Sequence, residues 1–176
     1  MKRKENNMSK QIQLTINGKK EIFMIGHGGA TWEIPDEETL SQTLRERMNL
    51  TGTKEACGQG ACGCCTVLMN NEAVPSCQIL TVDCDGADIV TIEGLQDPFT
   101  GELDPIQQAF IDKYAFQCGF CTPGIIMALK ALFIKNPEPS RREIEIALSG
   151  NQCRCISQYH VIEAAEEVVK QNKEKA

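Results

Sequence analysis

Aromatic side chains are scarce in this chain: six Phe, two Tyr and one Trp among 176 residues, 5% of the total. Any core must therefore be aliphatic. Positive charge is also short, with 18 Lys and Arg against 24 Asp and Glu and a net charge of -6. That excludes the basic footprint expected of a nucleic-acid partner. No apolar run approaches the roughly 18 residues needed to span a bilayer. The opening MKRKENNMSK is charged throughout, so residues 1–10 read as a flexible tail rather than a secretory signal, with Met8 an alternative start. There is no glycine-rich phosphate loop, no acid–base pair, and only two histidines, His27 in GHGG and His160 beside Val161 and Ile162. Both read as structural or surface residues. The sequence offers no catalytic group and no substrate site.

What it has in excess is cysteine, ten in all. A chain without a leader is expected in the cytoplasm, where thiols stay reduced and dense cysteine spacing points to metal or redox chemistry. CGQGACGCC places Cys57, Cys62, Cys64 and Cys65 within nine positions, and Cys77 follows after eleven intervening residues. Cys57-x4-Cys62-x2-Cys65 plus a distant fourth is the plant-type 2Fe-2S spacing. Three thiolates must come from one tight loop and the fourth from a neighbouring strand. Gly58, Gly60 and Gly63 let such a loop curl with its N–H groups inward. Zinc normally shows two separated C-x2-4-C pairs, which this spacing fits poorly. Cys64 is expected to point away and pack, and Cys84 to be a small half-buried residue.

A second set, Cys118-x2-Cys121 and Cys153-x1-Cys155, is compatible by itself with zinc, a redox dithiol or a cluster. Each pair precedes a predicted helix start, where unpaired N–H groups and the helix dipole suit an anionic centre.

The pattern along the chain predicts an α+β protein in two halves. IQLTING is a strand ending in an Asn-Gly hairpin turn, followed by strands EIFMI and TWEIP around the loop GHGGA. DEETLSQTLRERM has helical spacing, with acidic residues assigned to its first turn. CTVLMNNEAVPSCQIL is a hairpin turning at Asn70-Asn71, and ADIVTIEGL a last strand. The second half is helical. Asp104 and Pro105 open one helix, Thr122 and Pro123 another, and a Ser140/Glu143 capping box a third that closes at Gly150. The last starts after Ser157 and buries Ile162, Ala165, Val168 and Val169. In the third-to-last helix Ile125, Ile126, Leu129, Leu132 and Phe133 form the apolar stripe. The expected division is 11–95 for the sheet domain, 96–103 for a linker, and 104–176 for a small helical bundle.

TGTKEACGQGACGCCTVL…SC, followed by QCGFCTPG and NQCRC, closely resembles the iron–sulfur subunit of the molybdenum hydroxylases, the xanthine dehydrogenase family, over residues 12–170. The resemblance implies a β-grasp, plant-type ferredoxin-like domain followed by a four-helix bundle, each holding one 2Fe-2S cluster. Cys57, Cys62, Cys65 and Cys77 would hold the outer cluster, nearer a flavin. Cys118, Cys121, Cys153 and Cys155 would hold the inner one, beside molybdopterin. Gln117 matches the glutamine that hydrogen-bonds the pterin, and Cys155 the ligand on the electron path to it. The implied partners are a large molybdopterin-binding subunit and an FAD-binding subunit in a higher-order heteromer. The implied role is electron transfer from molybdopterin to flavin, within an oxidoreductase whose substrate is an N-heterocycle such as a purine. Aldehyde, aromatic acyl-CoA and carbon monoxide enzymes are the alternatives. A free two-cluster carrier and a zinc-stabilised interaction module are rivals from other classes.

Three departures from the family pattern stand out. CRCISQY carries one residue more before Tyr159 than the usual CRCTGY. The 21–35 stretch is longer than usual, and Cys64 replaces what is commonly alanine.

Overall fold

Two turns with asparagine in front set the register of the sheet. Asn17 and Gly18 have φ of 50° and 77°, and Asn70 and Asn71 have 52° and 67°. These left-handed pairs match the right-handed twist of flanking strands, so both hairpins close on two residues. The first joins β1 (Lys10–Ile16) to β2 (Lys19–Ile25), the second β3 (Thr66–Met69) to β4 (Glu72–Pro75). A short β5 (Asp88–Val90) lies between them, parallel to β1 and antiparallel to β3, giving the order β2-β1-β5-β3-β4. The structure is a computed structural model and describes residues 9–26 and 33–175. Most of the expected tail, residues 27–30 of the GHGGA loop with His27, and Thr31 and Trp32 of the expected TWEIP strand lie outside the described residues. Ile34 of that segment makes a parallel bridge to Ile25 and is fully buried.

The helix of the first half begins later than the sequence pattern predicts. Thr39 caps α1 (Leu40–Gln42) through a capping box with Gln42, and α1 widens directly into a π-helical stretch, Thr43–Arg47. The acidic residues assigned to a first helical turn precede the helix, and no acid stands in the first turn of α1. Glu38 serves another purpose: it takes both arms of the Arg47 guanidinium, at 2.7 and 2.5 Å, and the Thr43 hydroxyl at 2.6 Å. The last strand is also shorter than expected, since Ile92–Leu95 turn as a 3-10 helix.

In the second half, Asp104 caps α2 (Pro105–Asp112) reciprocally with Gln107, and Ser140 does the same with Glu143 for α4 (Arg141–Ala147). The cap of α3 (Thr122–Lys135) is Cys121, one residue before the expected Thr122. Leu148 caps the end of α4, so that helix stops before Gly150. The Ser157 hydroxyl accepts from the Tyr159 N–H at 3.2 Å where α5 (Gln158–Lys175) begins. The buried faces are those predicted for α3 and α5, except that Leu132, Phe133 and Val169 are only partly buried.

Among the described residues three apolar clusters form. One lies between the sheet and α1, built on Ile12, Leu14 and Ile16 from alternate positions of β1. A second fills the space among α2–α5 around Phe110, Leu129 and Ile144. The third is a seam in which Met127 and Ala131 of α3 cover Leu68 of β3, flanked by Val90, Ile92 and Leu95. The segment 96–103 is a self-bonded turn: Asp97 accepts from the Phe99 and Thr100 N–H groups at 2.8 and 2.7 Å. Cys84 is fully buried rather than half-buried, its thiol donating to the Leu80 carbonyl at 3.5 Å. No helix among the described residues is long and apolar enough to cross a membrane.

Candidate metal centres

The first cysteine group shows how a hairpin shortens a sequence gap. Thr66 pairs with Pro75 at the open end of β3–β4, so Cys65, just before β3, lies opposite the turn Ser76–Gln78 that follows β4. Ser76 donates to the Cys65 carbonyl from both its N–H and its hydroxyl, at 3.3 and 2.7 Å. This sets Cys77 against Cys65, where their thiols interact. At the other end of the loop, Cys57 interacts with Cys62. Gly58, Gly60 and Gly63 all have φ between 63° and 72°, as the curl requires.

The loop also points donors at sulfur. The Gln59 N–H donates to Cys57 Sγ at 3.5 Å, and mainly for that reason the Cys57 thiol is brought down to about 7. Burial pushes Cys65 up to about 11. Sequence reasoning missed Gln78, which carries no motif signal. Its side-chain amide donates to the Gly58 carbonyl at 3.0 Å and the Cys77 carbonyl at 2.9 Å, and lies 3.6 Å from Cys77 Sγ. It ties the loop to the turn. Cys64 does not turn away from this group as expected: its thiol interacts with that of Cys62 and lies 4.0 Å from the Cys62 carbonyl, while its body packs with the helices. It is buried in the helical cluster beside Cys121 and Ile125, and burial pushes its thiol to about 12.

The second group is assembled from two helix starts. Cys121 caps α3, and Gly119 (φ 81°) bends the turn that carries Cys118. Cys153 and Cys155 lie between α4 and α5. Cys118 and Cys155 approach to 3.7 Å between sulfurs, and Cys121 interacts with Cys153. The Ile156 N–H donates to Cys153 Sγ at 3.4 Å. Burial alone would raise the Cys153 thiol, but this bond and its neighbours hold it below the ordinary value. Burial pushes Cys121 up to about 12, whereas Cys118 and Cys155 are exposed. Gln117 is exposed beside Cys118, and so are Tyr114, Phe116 and Phe120. The residue added in CRCISQY is absorbed by the start of α5: Ile156 packs on the helical cluster and Ser157 caps. His160 is exposed, 3.5 Å from Glu163.

Among the described residues no three His, Cys, Asp or Glu side chains gather as one metal ion would need. The eight candidate thiols stand instead as four pairs. A di-iron core needs that arrangement, since each iron takes two thiolates, and inward N–H groups suit its sulfurs. The residues fit such a core in both places.

The two groups touch. The Gln152 N–H donates to the Cys62 carbonyl at 2.9 Å, and the Asn151 side-chain amide donates to the Gly63 carbonyl at 3.1 Å. A cleft of about 610 Å³ beside these bonds is lined by Cys62, Cys64, Cys153, Arg154 and Gln158, among others.

Comparison with known proteins agrees with this geometry. Residues 22–88 match the family described as 2Fe-2S iron-sulfur cluster binding domain, and residues 91–166 the 2Fe-2S binding domain family. The chain therefore carries two 2Fe-2S centres. It is 48% identical to a probable xanthine dehydrogenase subunit of Bacillus subtilis, over 78% of this chain and 79% of that one. It is 41% identical to the nicotine 6-hydroxylase small subunit of Paenarthrobacter nicotinovorans, over 88% and 86%. The crystal structure of quinoline 2-oxidoreductase from Pseudomonas putida 86 superposes with a TM-score of 0.82 at 36% identity, covering 94% of this chain and 97% of the other. This chain, an electron-transfer component of an oxidoreductase, belongs to the iron–sulfur subunits of the molybdenum hydroxylase, or xanthine dehydrogenase, family.

Proposed function

We propose that this chain is the two-cluster wire of a heteromeric, cytoplasmic hydroxylase acting on a nitrogen heterocycle. It carries electrons from a large molybdopterin-binding subunit to an FAD-binding subunit. The observation that carries the proposal is the arrangement of eight cysteines as four thiol pairs in two adjoining groups. A bound 2Fe-2S core accepts and releases one electron at a time.

The chain's own residues bind, tune and shield. Cys57, Cys62, Cys65 and Cys77 hold the first core in a plant-type, β-grasp domain (11–95). Cys118, Cys121, Cys153 and Cys155 hold the second in a four-helix bundle (104–176), after the turn 96–103. The N–H groups of Gln59 and Ile156 stabilise thiolate charge, and hydrogen bonds of this kind help set a centre's potential. The exposed face with Gln117, Cys118, Cys155, Phe116 and Phe120 is where the molybdopterin subunit docks, with Gln117 hydrogen-bonding the pterin and Cys155 leading the electron in. Support for a heterocycle comes from the higher identity to the subunits named for xanthine and nicotine, 48% and 41%, than to an aldehyde oxidoreductase subunit of Escherichia coli, 37%.

The test is anaerobic recovery of the tagged chain from its own cells. The expected material is brown, shows two distinct EPR signals on reduction, and brings molybdenum and flavin with two larger chains. It reduces a dye with purines or pyridines and not with aldehydes. A monomer recovered without molybdenum or flavin sinks the subunit reading, and turnover of aldehydes alone sinks the heterocycle.

A further inference from the structure

We propose that Asn151 is a positioning residue for electron passage between the two centres, and that the passage runs through the hydrogen bond from the Gln152 N–H to the Cys62 carbonyl. The inference rests on the two-centre reading above.

Besides the Asn151–Gly63 bond, the cysteine groups meet through one backbone hydrogen bond and through packed contacts, which include the Cys64 thiol between Cys62 and Cys121. The backbone bond is Gln152 N–H to Cys62 O at 2.9 Å. It links Cys62, through its own Cβ, Cα and carbonyl, to the backbone of Gln152 and so to the next residue, Cys153. Another packed contact sets Gly124 of α3 against the Gly63 carbonyl and the Cys64 backbone. Coupling between redox groups decays steeply across van der Waals gaps and much less along covalent bonds and short hydrogen bonds. The backbone route crosses a single hydrogen bond between one candidate ligand and another. The packed routes must cross a packing gap.

That hydrogen bond is not protected by burial, since the cleft of about 610 Å³ opens beside it. Its geometry is held by a clamp on the next peptide. The Gly63 carbonyl accepts from the Thr66 N–H and hydroxyl, at 3.3 and 2.8 Å, and from the Asn151 amide at 3.1 Å. Asn151 is itself fixed, its backbone N–H donating to the Leu148 carbonyl at 2.9 Å. With Gly63 O pinned by both halves, the adjoining Cys62 carbonyl is aimed at Gln152. The approach is possible because Gly63 has no side chain: a Cβ there would lie 2.5 Å from Asn151 Nδ2 and 2.7 Å from Gly150 O.

The experiment uses the full chain with both centres filled, comparing wild type with Asn151→Ala and Asn151→Asp. The aspartate keeps the shape and exchanges the donor for an acceptor. Iron content is measured first, then the magnetic splitting between the two reduced centres and the rate at which an electron delivered by pulse reduction equilibrates between them. Iron and both signals should persist while splitting and rate fall several-fold in both variants. Unchanged splitting and rate in Asn151→Ala, or wild-type values in Asn151→Asp, overturn the proposal. If either variant loses iron, an ester in place of the Gln152 amide removes that N–H alone, and an unaltered rate in the ester protein is equally decisive against it. A wild-type chain holding a single di-iron core defeats the two-centre reading instead, and iron content reveals that before any variant is made.

Discussion

The two cysteine centres solve one chemical problem by different local means. The first is wrapped by a loop whose shape depends on left-handed glycines and whose fourth thiol arrives on a hairpin. The second is built from two helix starts that supply ready-made N–H groups. Their exposure differs accordingly. Cys65 and Cys77 are buried, whereas Cys118 and Cys155 lie open beside exposed aromatic residues. The loop centre is held between its own chain and the 150–152 turn, with Cys57 and Cys62 half-buried and Gln59 and Ala61 exposed at its rim. The helix-start centre presents two of its thiols outward. The contrast gives the second centre an open contact end and leaves the first accessible only along the rim of its loop.

The sharpest way to break the comparison is to push the halves apart. A Cβ on Gly124 would lie 2.0 Å from the Gly63 carbonyl and 3.0 Å from the Cys64 backbone. Backbone against backbone cannot yield cheaply, so Gly124→Ala should cost about 4 kcal/mol or more. Both centres should lose iron together, as chemical denaturation and metal analysis would report. Full iron with unchanged stability would show that the close approach is unimportant.

A variant confined to one centre should sharpen the comparison. Cys118→Ser is expected to remove about half of the iron, one of two di-iron cores, while the first-centre EPR signal remains. Cys65→Ser should do the reverse. Loss of both signals from Cys118→Ser would show that the centres are not independent in assembly.

The smallest effect concerns the sheet half alone. Burial raises the Glu38 carboxyl, but Arg47 and Thr43 more than offset this and hold it below its ordinary 4.5. Its contribution is fully present above the unfolded value and is lost as pH falls through the lower folded value. Glu38→Gln should cost about 1 kcal/mol at neutral pH. It should also flatten the acid limb of stability below pH 4.5, measured by urea unfolding at several pH values. An unaltered acid limb would assign that slope to other groups.

Much of this molecule was legible residue by residue. Asn17-Gly18 and Asn70-Asn71 announced hairpins because few residues tolerate positive φ. Asp104 and Ser140 announced helix starts because their side chains satisfy otherwise orphaned N–H groups. Other features needed the fold. The acids before α1 looked like dipole partners, yet Glu38 found Arg47 instead, a choice made by tertiary packing. Gln78 was invisible because its partners, Gly58 and Cys77, come together only after the hairpin closes.

The sequence by itself determined the kind of chemistry at the first centre, because its thiol spacing and glycine placement are covalent facts that few centres other than di-iron ones accommodate. It also determined where helices and hairpins begin, since caps and turns depend on neighbours a few residues away. Only the tertiary structure decided that the centres adjoin, with Gly63 gripped by Asn151 and Cys62 bonded to Gln152. Contacts between segments 88 residues apart depend on α3 packing across β3, and no local pattern encodes a surface that forms only when two elements meet.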